Sequence, residues 1–218
     1  MHRNHSTRTS GFTITEMLFV MTILSIVMIG VFGAFTQAQV ALFVSTQKAN
    51  INRDMRTFTG ELTEIARNAN HFYIYDGIST TDRNEAGDRK VQGETGDLLV
   101  LIFQEPYPAL DDPIYITRLV AYYRDATATT RGPIRKWEVD YAPSDYKLAS
   151  DVSVESILPS VATFQAANEV VELSEGLANG QLFLNYEERS IMVKGQILHG
   201  NEFKRLTDTY NFTITPRG

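Results

Sequence analysis

Hydrophobic positions follow three different patterns along the chain. From Met17 to Phe35 no residue is charged, and the apolar side chains are interrupted only by Thr22, Ser25, Gly30, Gly33 and Ala34, all small. Beyond it, Ile51, Met55, Phe58, Leu62, Ile65 and Ala69 step by alternating fours and threes, while Asn52, Arg53, Asp54, Arg56, Thr57, Glu61 and Glu64 fall elsewhere. That period predicts a helix with one buried face. The two patterns join into one predicted helix from Phe12 to about Asn70, roughly 90 Å long at about 1.5 Å per residue. A coiled-coil seam is the rival for the second half, but the stripe is short and strand signals follow directly, which favours packing on a core. Gly60 costs about 1 kcal/mol in such a helix, too little to break it.

The third pattern is strand-like. Residues 76–97 are polar and contain glycine, with no apolar period, and read as a loop region. Leu98 to Phe103 (LLVLIF) is a continuous apolar run, as expected for a buried strand, and Ile114 to Arg124 (IYITRLVAYYR) is longer and rich in β-formers. After a turn-like TRGP at Thr130 to Pro133, Trp137, Val139 and Tyr141 alternate with Lys136, Glu138 and Asp140. Alternation of that kind predicts a half-exposed antiparallel strand. Further strands are predicted at Gln181 to Tyr186, Ser190 to Leu198 and Asp208 to Thr215, whereas Val152 to Glu175 carries no decisive signal. A long helix (12–70) followed by an antiparallel, meander-like sheet domain (71–218) is an α+β arrangement.

Composition narrows the chemistry. The chain has 218 residues and a formal charge of -6, which argues against sequence-independent nucleic-acid binding, since that needs a surplus of Lys and Arg. It contains no cysteine, so disulfides, cysteine nucleophiles and thiolate metal sites are excluded. No GxSxG, HExxH or phosphate loop occurs, and of the four histidines His2 and His5 lie at the amino terminus while His71 and His199 are isolated. No catalytic residue, cofactor or metal ligand is therefore assigned, and the chain reads as a non-enzyme.

The apolar run changes the picture most. About 20 helical residues cross a hydrocarbon core of roughly 30 Å, so Met17 to Phe35 can span a membrane. Arg3 and Arg8 precede it and the next charge after it is Lys48, which by the positive-inside rule keeps the short head in the cytoplasm. A cleaved secretory signal would have a shorter apolar stretch. One residue remains unexplained by a simple anchor. Glu16 sits at the edge of a stretch otherwise uncharged from Gly11 to Gln47, and a lone carboxylate in lipid costs a few kcal/mol.

At GFTITEMLFVMTILSIVMIG the chain resembles the processing site of type IV pilins and of the pseudopilins of type II secretion systems. The resemblance implies that residues 1–11 are a leader, cut after Gly11 by a prepilin peptidase, and that the new terminus Phe12 is N-methylated. It implies that Glu16, at the fifth mature position, pairs with the terminal amine of a neighbouring pilin or pseudopilin subunit as helices assemble. A single pass through the inner membrane with a periplasmic or extracellular domain follows as well. In size and in blocks such as NRDMRTFTGELTEIA, LVLIF and LVAYYR the chain looks like the larger minor members, the J-type minor pseudopilin or its pilus counterpart, which act in priming or at the filament tip.

Two other readings stay open at this point: a single-pass anchored receptor or binding ectodomain, and a DNA-uptake pilus tip. The latter needs a basic strip, and removal of Arg3 and Arg8 with the leader makes the chain more acidic still. The carboxylates Asp82, Glu85 and Asp88 invite comparison with the calcium that orders loops in some pseudopilins. Their spacing is not that of an EF-hand, and Arg83, Arg89 and Lys90 oppose a cation, so they are read as a solvated loop.

Overall fold

The computed structural model describes residues 11–105, 113–125, 132–175, 181–200 and 205–216. Helix α1 (Ile14–Asn68) follows the amino terminus and runs through two compact units, Met1–Thr46 and Gln47–Gly218. In the first unit the large apolar side chains from Phe12 to Phe35 are exposed, Phe12 itself at 80%. The polar residues here are quenched inside the helix itself. The hydroxyls of Thr22, Ser25 and Thr36 donate to the carbonyls of Leu18 and Phe19, Met21, and Phe32, at 2.8 to 3.1 Å. A helix with satisfied hydroxyls and an apolar exterior suits a lipid surround, where no water is at hand to pair with them. Among the described residues α1 is the one helix long and apolar enough to cross a membrane.

In the second unit, α1 buries Ile51, Phe58, Leu62 and Ala66, and Met55 and Ile65 pack beside them. The predicted stripe is thus the buried face, and the fully buried Ile51, Phe58 and Leu62 each contribute about 1.5 to 3 kcal/mol of transfer free energy. Asn70 closes the helix end against the sheet: its amide donates to the Ile102 carbonyl (2.9 Å) and its Oδ1 accepts from the Gln104 amide (2.7 Å).

The sheet contains β1 (His71–Tyr75), β2 (Thr95–Gly96), β3 (Leu98–Glu105), β4 (Tyr115–Arg124), β5 (Gly132–Asp140), β6 (Lys147–Leu148), β7 (Asn168–Glu175), β8 (Phe183–Tyr186), β9 (Ser190–Gly200) and β10 (Arg205–Ile214). Its order is β1-β3-β4-β5-β7-β9-β8-β2, with β10 on β9 and β6 on β4, and the pairings are antiparallel. The helix and the sheet make the α+β architecture that the hydrophobic pattern predicts.

The continuous run LLVLI in β3 has a simple cause. Leu99 and Leu101 face the α1 side, with Val120, Tyr122, Ile134, Ile191 and Val193. Leu98, Val100 and Ile102 face the opposite side, with Leu119, Ala121 and Tyr123, under a second cover of Val154, Leu158 and Phe164. That cover comes from the stretch that lacked a sequence signal. It forms α2 (Val154–Ile157) and α3 (Val161–Gln165), capped by the side chains of Ser153 and Ser160, and then β7.

Two expectations need correcting. Gly132 and Pro133, read as the end of a turn, begin β5 and pair with Leu173 and Glu172; Thr130 and Arg131 lie outside the described residues. Proline is tolerated there because a strand's first positions need not donate to a ladder. Residues 76–97 are also not a plain solvated loop. They contain short helical turns at Thr80–Asp82 and Ala86–Asp88 and the strand β2, and Arg83 is buried, donating to the carbonyls of Ile78 (3.0 Å) and Pro159 (2.7 Å). At Gly96 a Cβ would lie 2.1 Å from the Tyr75 carbonyl oxygen, so only glycine lets the chain pass β1 so closely.

Candidate functional site

Gly11, Phe12 and Thr13 precede the first turn of α1, and all three are exposed. Thr13 is the capping residue. Its Oγ1 accepts from the Glu16 amide (3.3 Å), while Glu16 Oε2 accepts from the Thr13 amide and from the Thr13 hydroxyl, both at 2.9 Å. The first helical hydrogen bond, Met17 amide to Thr13 carbonyl, follows at 3.2 Å. This is a reciprocal capping box, which satisfies amides that a helix start leaves unpaired. It also places a carboxylate at the positive end of the helix dipole.

The box gives Glu16 a role within its own chain, which the sequence reading did not assign. The signal is present in Thr13-Ile14-Thr15-Glu16, a threonine followed three residues on by glutamate just before an apolar run. Glu16 Oε1, in contrast, has no hydrogen bond among the described residues. The structure thus brings Gly11, Phe12 and Glu16 together at one helix start, with Phe12 immediately before the cap.

The second unit has charged clusters that are held by their own partners. Glu155 takes Arg89 in a two-pronged ion pair (2.7 and 3.1 Å) and the hydroxyl of Tyr75 (2.7 Å). Burial works to raise its carboxyl, but the hydrogen bonds from Arg89 and Tyr75 prevail and hold it below the usual carboxylate range. Burial, reinforced by Glu155, pushes the Tyr75 phenol upward.

Asp97 joins three parts of the sheet: its side chain takes Arg124 at 2.6 Å and the Leu182 amide at 2.9 Å, and its backbone amide donates to the Asp76 carbonyl at 3.0 Å. Burial pushes its carboxyl up to about 6, against the pull of Arg124. In β5, Lys136 bridges Glu61 of α1 (2.9 Å) and Glu138 (3.0 Å). Such pairs fix the packing of α1 and the strands; none is a nucleophile with a base and an orienting group.

His71 starts β1 and is exposed, and His199 lies in β9. Of the loop carboxylates, Asp88 is occupied by the amides of Asn84 (2.7 Å) and Glu85 (3.0 Å). Among the described residues no cluster of three or more His, Cys, Asp or Glu could hold a metal ion.

Residues 6–32 match the model of the prokaryotic N-terminal methylation motif. No curated protein and no solved structure matches the chain. The matched stretch covers Gly11, Phe12, Glu16 and most of the apolar run, and it supports the type IV pilin and pseudopilin family, whose members are structural subunits. The motif and the long apolar helix α1 together fit a membrane-anchored pilin-like chain, handled by a prepilin peptidase and assembling with other pilins.

Proposed function

We propose that the chain is a minor pilin-like structural subunit of a type II secretion pseudopilus or a type IV pilus, acting in priming or at the tip of the filament. In this reading residues 1–11 are a leader removed after Gly11, Phe12 carries the new amine and is N-methylated, and Met17–Phe35 holds the precursor in the inner membrane. The head lies in the cytoplasm and the sheet domain (71–218) in the periplasm or outside the cell. The subunit then leaves the membrane by packing its helix against those of neighbouring subunits.

The observation that carries the proposal is the methylation-motif match over residues 6–32, which includes a helix start whose carboxylate is only half used. Cutting after Gly11 puts a cationic amine on Phe12, one residue before the cap. Glu16 Oε1 is the acceptor that remains for an amine, whether of its own chain or of a neighbour. In a low dielectric such a pair attracts strongly, but desolvation removes much of the gain, so it selects register more than it adds stability. The test is Glu16→Ala in a strain that assembles the filament. Cleavage proceeds as in the parent while incorporation falls; normal incorporation contradicts the proposal.

A further inference from the structure

The sheet has an opening beside β1. Strand β1 pairs with β3 on one side, and on the other side the Ile74 and Asp76 carbonyls accept from the amides of Lys90 (2.7 Å) and Asp97 (3.0 Å). Successive residues of a strand direct their backbone groups to alternate sides, so every second residue presents amide and carbonyl away from β3. Phe72 is the next such residue toward the start of the strand, and its outward amide and carbonyl meet no backbone partner among the described residues. They border a groove of about 830 Å³, walled on the far side by the β8–β9 turn, with Glu188 and Arg189, and by Pro216 beyond β10.

Three cations line that groove, Arg89, Lys90 and Arg189, against one acid, Glu188. Of the three, Arg89 and Lys90 are matched by Glu155 and Asp76, which leaves Arg189 as the cation open to a ligand, in a chain that is acidic at -6 overall. Arg89 is fixed by Glu155 and lies 3.8 Å over the ring of Tyr73, and Lys90 is fixed by Asp76 at 2.6 Å. Arg189 is exposed and makes no ion pair among the described residues. The far wall is itself held in an unusual conformation: Glu187 and Glu188 have φ of 54° and 55°, the left-handed region that costs a non-glycine residue about 1 kcal/mol or more.

We propose that this groove receives an extended, carboxylate-bearing peptide segment of a partner protein, which adds as a short strand at Phe72 and sets an acidic side chain against Arg189. Backbone pairing supplies the general attraction in strand addition, and Arg189 selects the acidic side chain. The surface lies wholly in the sheet domain, so the proposal goes beyond the filament reading and stands or falls separately from it.

The test uses the full chain in detergent micelles and a peptide, acetyl-Val-Glu-Val-Glu-Val-amide, carrying a neutral fluorophore, with binding followed by anisotropy. Saturable binding is expected. It weakens about tenfold when the central peptide nitrogen is methylated, the order for one lost backbone hydrogen bond. Replacing both peptide glutamates by lysine, or Arg189→Glu in the protein, weakens it by about tenfold or more. Absence of saturable binding overturns the proposal, and so does any of these three changes leaving the affinity within about twofold.

Discussion

Glu16 Oε2 receives both the amide and the hydroxyl of Thr13, each at 2.9 Å, so one oxygen of the carboxylate is bound by its own chain and the other is left over. A carboxylate at the edge of lipid is thereby compensated in part before any cleavage. In the proposed reading, a cut after Gly11 adds a cation next to a group that is already oriented.

Thr13→Ala should loosen the first turn of α1. It removes a hydroxyl that both accepts from the Glu16 amide and donates to the Glu16 carboxylate, at a cost of about 1 kcal/mol. Amide exchange at Glu16 in micelles should accelerate about fivefold, and Thr13→Ser should restore the parent rate. An unchanged rate in Thr13→Ala would show that the box does not form in solution.

Phe58 anchors α1 to the sheet. It meets Tyr122, Tyr210 and Phe212 edge-on, with ring centres 6.2, 6.2 and 6.0 Å away, and is fully buried. Phe58→Ala should lower the unfolding free energy by about 3 to 5 kcal/mol, read from the urea midpoint, whereas Phe58→Leu should cost about 1.5 kcal/mol.

The turn between β8 and β9 is open to improvement. The Arg189 amide donates to the Tyr186 carbonyl at 3.3 Å, and both central residues, Glu187 and Glu188, have positive φ. Asn-Gly is the pair suited to that geometry. Glu187→Asn with Glu188→Gly should therefore raise stability by about 1 kcal/mol, measured by the same denaturation; a loss of stability would mean that this backbone is not strained.

Asp97 makes stability depend on pH with an unusual sign. Its folded value of about 6 lies above the 3.8 of an ordinary aspartate, so the folded state holds the proton more tightly. The associated stabilisation is complete below the unfolded value and is lost as pH rises through about 6. Between pH 4 and pH 6.5, roughly, the parent should lose stability relative to Asp97→Asn, by an amount of order 2 kcal/mol. The comparison uses the slope against pH, since the variant also removes the Asp97 charge that faces Arg124.

Much of this molecule is written in local pattern. The α1 stripe at Ile51, Phe58 and Leu62 is visible because a helix repeats one face over many turns, and Tyr210 and Ile214 are visible because a strand alternates. The cover of Val154 and Phe164 is not, because α2 and α3 are too short to show a period; their marks are only the caps Ser153 and Ser160. The buried Arg83 is illegible for a different reason: its partners, the Ile78 and Pro159 carbonyls, are set by tertiary packing. Glu16 stands between these cases. Its oddity in an apolar stretch is plain from the sequence, and its bond to Thr13 follows from a four-residue signal.

The central claim is that the chain works only after its head is removed, and the intact mass of protein extracted from membranes tests it most directly. Coexpressed with a prepilin peptidase, the parent should lose residues 1–11 and gain the mass of one methylene at the new terminus, while Gly11→Ala should keep its full length. A parent chain that still begins at Met1 beside an active peptidase would contradict the account.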